Sequence, residues 1–303
     1  MKLLRIGSRG SALALAQSNW VRDEILRQRR DIEVELRVIK TSGDRFVDSA
    51  IPSIGGKGVF TREIEEALLA GDIDLAVHSM KDLPVELPEG LAIAAVPRRE
   101  DARDVLVSQS GLGFDDLPCG AQLGTGSLRR RSQLLHRRAD LRVVPIRGNV
   151  DTRLRKLDEG EVDALVLAAA GLKRMGLEDR VTEYLADEIC VSAVAQGALA
   201  IESRNDAAER EPAACLHDAA AYAEVCAERA LLAALGGGCN VPIGARARIV
   251  VDRLALVAVV ANPDGSDLCR GAITGRVADA GRLGRSLAQQ LVNQGADKFL
   301  SRA

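Results

Sequence analysis

Three stretches combine glycine and hydroxyl residues with arginine in a way that suits anion binding. They are Gly7-Ser8-Arg9-Gly10-Ser11, Gly124-Thr125-Gly126-Ser127 followed by Arg129 and Arg130, and Arg147-Gly148-Asn149 followed by Arg153 and Arg155. Each reads as a strand end, a turn and a helix start. Helix N-termini present unpaired N–H groups and the positive end of the peptide dipole. Arginine adds a planar fork that grips a carboxylate in two bonds. Serine and threonine are also ordinary helix caps, so one such junction means little. Three in one chain point to a ligand with several negative charges. The segment from Arg129 to Lys156 carries nine arginines and one lysine against Asp140 and Asp151, although the whole chain has a net charge of -2. No Walker A pattern occurs, and Arg129 stands where a dinucleotide fingerprint needs its third glycine. The same segment has no Phe, Tyr or Trp, so no stacking platform for a nucleic-acid strand is visible. Small molecules bearing several carboxylates remain.

Two single residues suggest further chemistry. In Asp74–Pro84 (D-L-A-V-H-S-M-K-D-L-P) a short apolar run opens into charged groups and stops at Pro84. The run suits a buried strand, and ligands of open α/β sheets sit beyond the carboxyl ends of such strands. Asp82 is either a loop-surface acid or a carboxylate aimed into a cleft. Cys239 follows Gly236-Gly237-Gly238, whose lack of side chains lets the sulfur reach a partner, so a chemical role stands open beside a structural one. Cys215 and Cys226 read as buried, inert thiols.

The elements that must position these groups follow from periodicity and breakers. Leu3–Ile6 is a strand and Ala12–Arg29 a helix, with Leu13, Ala16, Trp20 and Ile25 at helical spacing. Glu33–Ile39 alternates like a half-solvated strand, Thr41–Gly58 is a long glycine-rich loop, and Phe60–Ala70 is a helix ended by Gly71. This β-α-β-α-β order implies parallel strands with helical crossovers. The pattern restarts after Pro97-Arg98-Arg99-Glu100-Asp101, with strands at Val105–Val107, Gln122–Leu123, Val143–Ile146 and Ala164–Leu167 and helices at Leu128–Arg138 and Thr152–Glu159. Cys190–Gln196 reads as a return crossing to a strand at Ala198–Ile201. Beyond Pro212 come a helix at Ala219–Leu235, three strand-like runs at 245–250, 254–260 and 268–274, a turn at Asn262-Pro263-Asp264-Gly265, and a helix at Ala280–Gln294.

Composition bounds the class. With 303 residues, 47% hydrophobic and 28% charged, the chain suits a globular protein of two or three domains. The near-neutral charge gives no general affinity for nucleic acid or membrane. Six cysteines without a C-x-x-C pair argue against a disulfide framework or zinc site and for a reducing compartment. The three histidines show no ligand spacing, so no metal is expected. Arg5 and Arg9 interrupt any signal-peptide core, and no apolar run reaches membrane-spanning length.

The set V-H-S-M-K-D-L-P (77–84), G-G-K-G-V-F (55–60), G-T-G-S-L-R-R (124–130), R-G-N-V-D-T-R (147–153), A-G-L-K-R (170–174), A-Q-G-A (195–198) and G-G-C-N-V-P (237–242) closely resembles the porphobilinogen deaminase family over nearly the whole chain. Departures are small: Ala12 stands where Pro is common, Gly126 where Ser is usual, Ala195 where Gly is usual and Asn240 where Gln is usual. The resemblance implies an α/β fold of two periplasmic-binding-protein-like lobes with mainly parallel sheets around a cleft, plus a small α+β third domain with a three-stranded sheet. It places residues 1–97 with 198–214 in the first lobe, 103–191 in the second and 219–303 in the third domain. It implies a cytoplasmic, monomeric transferase that joins four porphobilinogen molecules head to tail into hydroxymethylbilane, with ammonia released. The implied cofactor is a dipyrromethane held covalently by Cys239, and the implied catalytic group is Asp82. Arg9, Ser11, Lys57, Phe60, Ser79, Lys81, Thr125, Ser127, Arg129, Arg130, Arg147, Arg153, Arg174 and Gln196 match positions that bind cofactor or substrate or cover the cleft. The residues alone also admit a two-lobed binding protein for a small carboxylic acid, which needs neither Asp82 nor Cys239. They admit an RNA-binding protein using the arginine-rich segment, too, with steep salt dependence.

Overall fold

The computed structural model describes residues 2–42, 61–237 and 241–300. In chain order the elements are β1 (Lys2–Ser8), α1 (Ala12–Gln28), β2 (Ile32–Val38), α2 (Arg62–Ala70), β3 (Leu75–Ser79), β4 (Leu91–Ala95), β5 (Asp104–Ser108), β6 (Gln122–Gly124), α3 (Leu128–Arg137), β7 (Arg142–Val144), α4 (Val150–Asp158), β8 (Ala164–Ala168), α5 (Ala169–Arg174), β9 (Glu183–Tyr184), β10 (Leu199–Arg204), α6 (Ala207–Ala214), α7 (Ala219–Ala234), β11 (Ile243–Val250), β12 (Arg253–Ala261), β13 (Leu268–Arg276), α8 (Ala280–Asn293) and α9 (Asp297–Leu300). They group into two compact units, residues 1–100 with 198–222 and residues 101–197 with 223–303.

The first unit holds a sheet of order β2-β1-β3-β10-β4. β1 pairs in parallel with β2 and β3, as expected of strands joined by helical crossovers. β10 runs antiparallel to both β3 and β4. The second unit repeats the scheme as β7-β6-β8-β5-β9: β6 is parallel to β7 and β8, and β5 is antiparallel to β8 and β9. Parallel pairing is therefore confined to three strands of each sheet. The antiparallel strand in each, β10 or β5, is the one that follows directly on a crossing between units.

Local chemistry explains the boundaries. Ser11 caps α1 by accepting the Ala14 N–H at 3.3 Å. The buried face of α1 is Gln17, Ser18, Val21 and Ile25, so Trp20, expected inward, is instead 42% exposed. α2 ends where Gly71 turns into the left-handed region at φ 77. Arg5 clamps Asp74 at the start of β3 with two side-chain bonds of 3.0 and 2.7 Å. Leu4, Ile6, Val21, Ile25, Leu75, Val77 and Ile201 form the core of this unit. In the second unit β11, β12 and β13 form an antiparallel meander. The Asn262–Gly265 turn joins its last two strands, the Gly265 N–H donating to the Asn262 carbonyl at 2.9 Å. Gly284 of α8 lies so close to α7 that a Cβ there would sit 2.2 Å from the Ala227 carbonyl oxygen. Cys215 is exposed and Cys226 half-buried, so neither is the buried thiol its sequence context suggests. No helix among the described residues is long and apolar enough to cross a membrane.

Candidate functional site

In the first unit β1 and β3 are parallel neighbours, with Gly7 opposite Ala76. Their carboxyl ends lie side by side. Arg9 and Ser11 follow β1; Ser79, Lys81 and Asp82 end or follow β3. The Ser79 hydroxyl is held by the Gln17 side chain, whose Nε2 donates at 3.0 Å. Gln17 itself is buried. One residue earlier, His78 turns into the unit, its Nε2 3.0 Å from Glu202 Oε2 on β10. Met80–Asp82 forms a single 3-10 turn. That turn is pinned by the Met80 N–H donating to the Ala198 carbonyl at 3.0 Å and the Leu83 N–H donating to Met80 at 3.2 Å. Asp82 is exposed at its end, and its carboxylate has no hydrogen-bond or ion-pair partner among the described residues. An exposed, unpaired carboxylate on a pinned turn beyond a buried strand is suited to meet positive charge that arrives with a ligand or develops in it.

In the second unit the ends of β6, β7 and β8 adjoin in the same way. Thr125 and Ser127 serve the turn itself. The Thr125 Oγ1 accepts the Ser127 N–H at 3.2 Å, and Ser127 caps α3 by accepting the Arg130 N–H at 3.4 Å. Arg129 and Arg130 are each 5% exposed and converge on Asp104. Arg129 Nη1 donates to Asp104 Oδ2 at 2.6 Å, to the Val191 carbonyl at 2.7 Å and to Cys190 Sγ at 3.3 Å. Arg130 donates from Nε and Nη2 to Asp104 Oδ1 at 3.0 and 2.7 Å, and from Nη1 to the Val166 carbonyl at 2.9 Å. Gln196 Nε2 completes the cluster, 2.9 Å from Asp104 Oδ1 and 2.8 Å from the Ala102 carbonyl. Burial alone would raise the Asp104 carboxyl, but the two guanidiniums hold it far below the usual range. Burial and the Asp104 charge push the Cys190 thiol up to about 12.

The other cations differ. Among the described residues Arg153 makes one hydrogen bond, from Nε to the Gly148 carbonyl at 2.8 Å, and no ion pair. Burial, with the neighbouring Arg130 charge, pulls it down from its ordinary value to about 10. Arg147 is exposed and has no partner among the described residues. Arg174, at the end of α5, donates from Nη2 to the Gly197 carbonyl at 2.6 Å. Lys57, Phe60 and Cys239 lie outside the described residues. Asp104 is the residue that sequence reasoning missed. Its signal was an acid opening the apolar run Val105–Val107, a place where an unpaired carboxylate would be costly.

A desolvated guanidinium without a carboxylate is a poor resting state, and Arg153 together with Arg147 suits a ligand that brings its own carboxylates. Comparison with known proteins bears on the family of the whole chain. Residues 4–211 match the family model described as porphobilinogen deaminase, dipyromethane cofactor binding domain. Residues 222–293 match the porphobilinogen deaminase C-terminal domain. The porphobilinogen deaminase of Syntrophobacter fumaroxidans is 49% identical over 300 residues, covering 99% of this chain and 97% of that protein. That of Desulforudis audaxviator is 52% identical over 298 residues, covering 98% and 96%. Among solved structures, the substrate binding domain of a putative molybdenum ABC transporter from Clostridium difficile aligns with a TM-score of 0.45 at 12% identity, over 72% of this chain and 93% of that one.

Proposed function

The chain belongs to the porphobilinogen deaminase family, and from that premise we propose that it condenses four porphobilinogen molecules head to tail into hydroxymethylbilane, releasing ammonia, on a dipyrromethane carried by Cys239. The observation that carries this reading is charge left unmatched within each unit. Among the described residues Asp82 has no cation at the end of β3, and Arg147 and Arg153 have no carboxylates beyond β7.

When bound, the dipyrromethane supplies a pyrrole carbon as the nucleophile for the first substrate. The chain's own residues do the rest. Loss of ammonia from porphobilinogen leaves a cationic methylene-pyrrole, and Asp82 stabilises that charge where it develops. The same carboxylate accepts pyrrole N–H bonds and takes part in proton transfer. Gln17 holds Ser79, and the bonds of Met80 and Leu83 hold the turn, so Asp82 meets the substrate with little reorganisation. Each substrate brings an acetate and a propionate. Arg147 and Arg153 pair with such groups directly; Arg9, Ser11, Lys57, Lys81, Thr125, Ser127, Arg129, Arg130, Arg174 and Gln196 bind or orient them, and Phe60 covers the bound chain. The Cys239 thiolate is the nucleophile that makes the thioether anchor.

The division into residues 1–97 with 198–214, 103–191 and 219–303, and a cytoplasmic monomer, belong to the same proposal. Intact-protein mass spectrometry tests it. The purified protein should exceed its 32.3 kDa polypeptide by two pyrrole units, and Cys239→Ser should not. Asp82→Asn should keep the added mass with near-total loss of turnover. An active wild-type protein of unmodified mass would overturn the Cys239 assignment, and wild-type rates in Asp82→Asn would remove Asp82 from the mechanism.

A further inference from the structure

The anion-binding arginines of α3 are not free to choose their geometry. One carboxylate, Asp104, has 0% exposure and receives five donors: Arg129 Nη1, Arg130 Nε and Nη2, Gln196 Nε2 and the Cys190 thiol, the last at 3.4 Å from Oδ2. The Arg130 guanidinium is engaged at all three nitrogens, two on Asp104 and one on the Val166 carbonyl of β8. Arg129 is engaged through Nη1 only; its Nε and Nη2 have no partner among the described residues. Gln133, one turn further along α3, fixes the surrounding backbone. It donates to the Arg129 and Val191 carbonyls at 3.2 and 3.1 Å and accepts the Val191 N–H at 2.7 Å. The arrangement therefore locks one edge of Arg129 and leaves the other edge unspent.

We propose that Asp104 is a positioning residue of the reaction: it orients the Arg129 and Arg130 guanidiniums so that the Nε/Nη2 edge of Arg129 is presented to a ligand carboxylate. This rests on the function proposed above. Two guanidiniums brought together without Asp104 would repel, and a pair free to splay would lose the fixed fork that makes bidentate recognition specific. Asp104 reduces the local charge and in exchange fixes the direction of what remains.

The two effects of Asp104 have opposite signs, which makes them separable. Asp104→Asn adds one positive charge to the cluster. If the cluster acted only through its field, the substitution would tighten binding of acidic pyrroles. If Asp104 acts by positioning, dipyrromethane occupancy read by intact mass falls, and kcat/KM for porphobilinogen drops about a hundredfold. Asp104→Glu, which restores the charge with a longer reach, recovers part of both. Occupancy and kcat/KM at or above wild type in Asp104→Asn overturn the proposal. Should that variant fail to fold, Arg129→Lys keeps the charge and a bond to Asp104 but lacks a second edge. The proposal expects occupancy to fall in that variant at unchanged thermal stability, and full occupancy overturns it. A wild-type protein that forms no hydroxymethylbilane would refute the proposed function itself, a result distinct from any of these.

Discussion

Replacing Arg153 by Met in a Cys239→Ser background should stabilise the protein while removing a binding group. Burial and the Arg130 charge lower Arg153 from its ordinary value to about 10, so holding it charged at neutral pH costs roughly 3 kcal/mol. Methionine keeps an unbranched apolar stem and gives up only the bond to the Gly148 carbonyl, worth about 1 kcal/mol. The net gain is about 1–2 kcal/mol, a rise of about 2–8 °C in the thermal transition of a domain this size. The Cys239→Ser background matters because bound carboxylates would neutralise the cation and hide the effect. The sign with pH is fixed. A base whose folded value is depressed binds fewer protons folded than unfolded between about 10 and its ordinary value, so its penalty is fully present below about 10 and relieved only above. The stabilisation should therefore be flat from pH 6 to 9. Scanning calorimetry across that range checks it, and an unchanged or lowered transition would refute the view that this guanidinium lies desolvated and unpaired. With Cys239 intact, the same substitution should lower dipyrromethane occupancy.

Other expectations concern backbone and buried charge. Ala195 sits at φ 59, in the left-handed region, with its N–H donated to Glu228 Oε2 at 2.6 Å; Ala195→Gly should raise the melting transition by about 1 kcal/mol equivalent, and a lower transition would contradict the strain. Gly284→Ala should destabilise by about 1–3 kcal/mol, read by urea denaturation, because the new Cβ meets the Ala227 carbonyl and Leu231 N of α7, which are backbone and cannot swing aside. Burial and the Glu202 charge raise the Glu65 carboxyl above its ordinary 4.5. That raised value means its proton is held more tightly folded than unfolded. Glu65→Gln should therefore be the more stable protein at pH 7 to 8, with its advantage disappearing as pH falls toward 4.5, and a pH-independent difference would show that no such proton is held.

The parts of the site legible in sequence were those whose physics is local. Ser11 and Ser127 cap helices, Gly71 ends one, and the arginines of three strand–turn–helix junctions lie within a few residues of the backbone dipoles they accompany. The buried run before Asp82 was likewise visible, since three apolar residues closed by Pro84 leave few alternatives. The function of Asp104 was not legible, because its partners lie 25 and 92 residues away and only the sheet and the return crossing bring them together. The direction of β5 and β10 was not legible for the same reason. β5 and β10 look like any apolar run, and their antiparallel sense is set by where the chain re-enters each sheet. Leu91–Ala95, Glu183–Tyr184 and Ala207–Ala214 went unread as elements; the first two are short edge strands and the third is a helix with Pro212 inside it.

The protonated state of Cys190 has a consequence for chemoselectivity. On the proposed function one of the six sulfurs is alkylated by a reactive methylene, and competing thiols must be kept from capturing that electrophile. Only a thiolate attacks well, and Cys190 is withheld as SH by burial and the Asp104 charge; burial also raises Cys269. Proton affinity thus discourages misattachment at these sulfurs, so a haloacetamide footprint at neutral pH should pass over Cys190 in the folded protein and reach it once the chain unfolds.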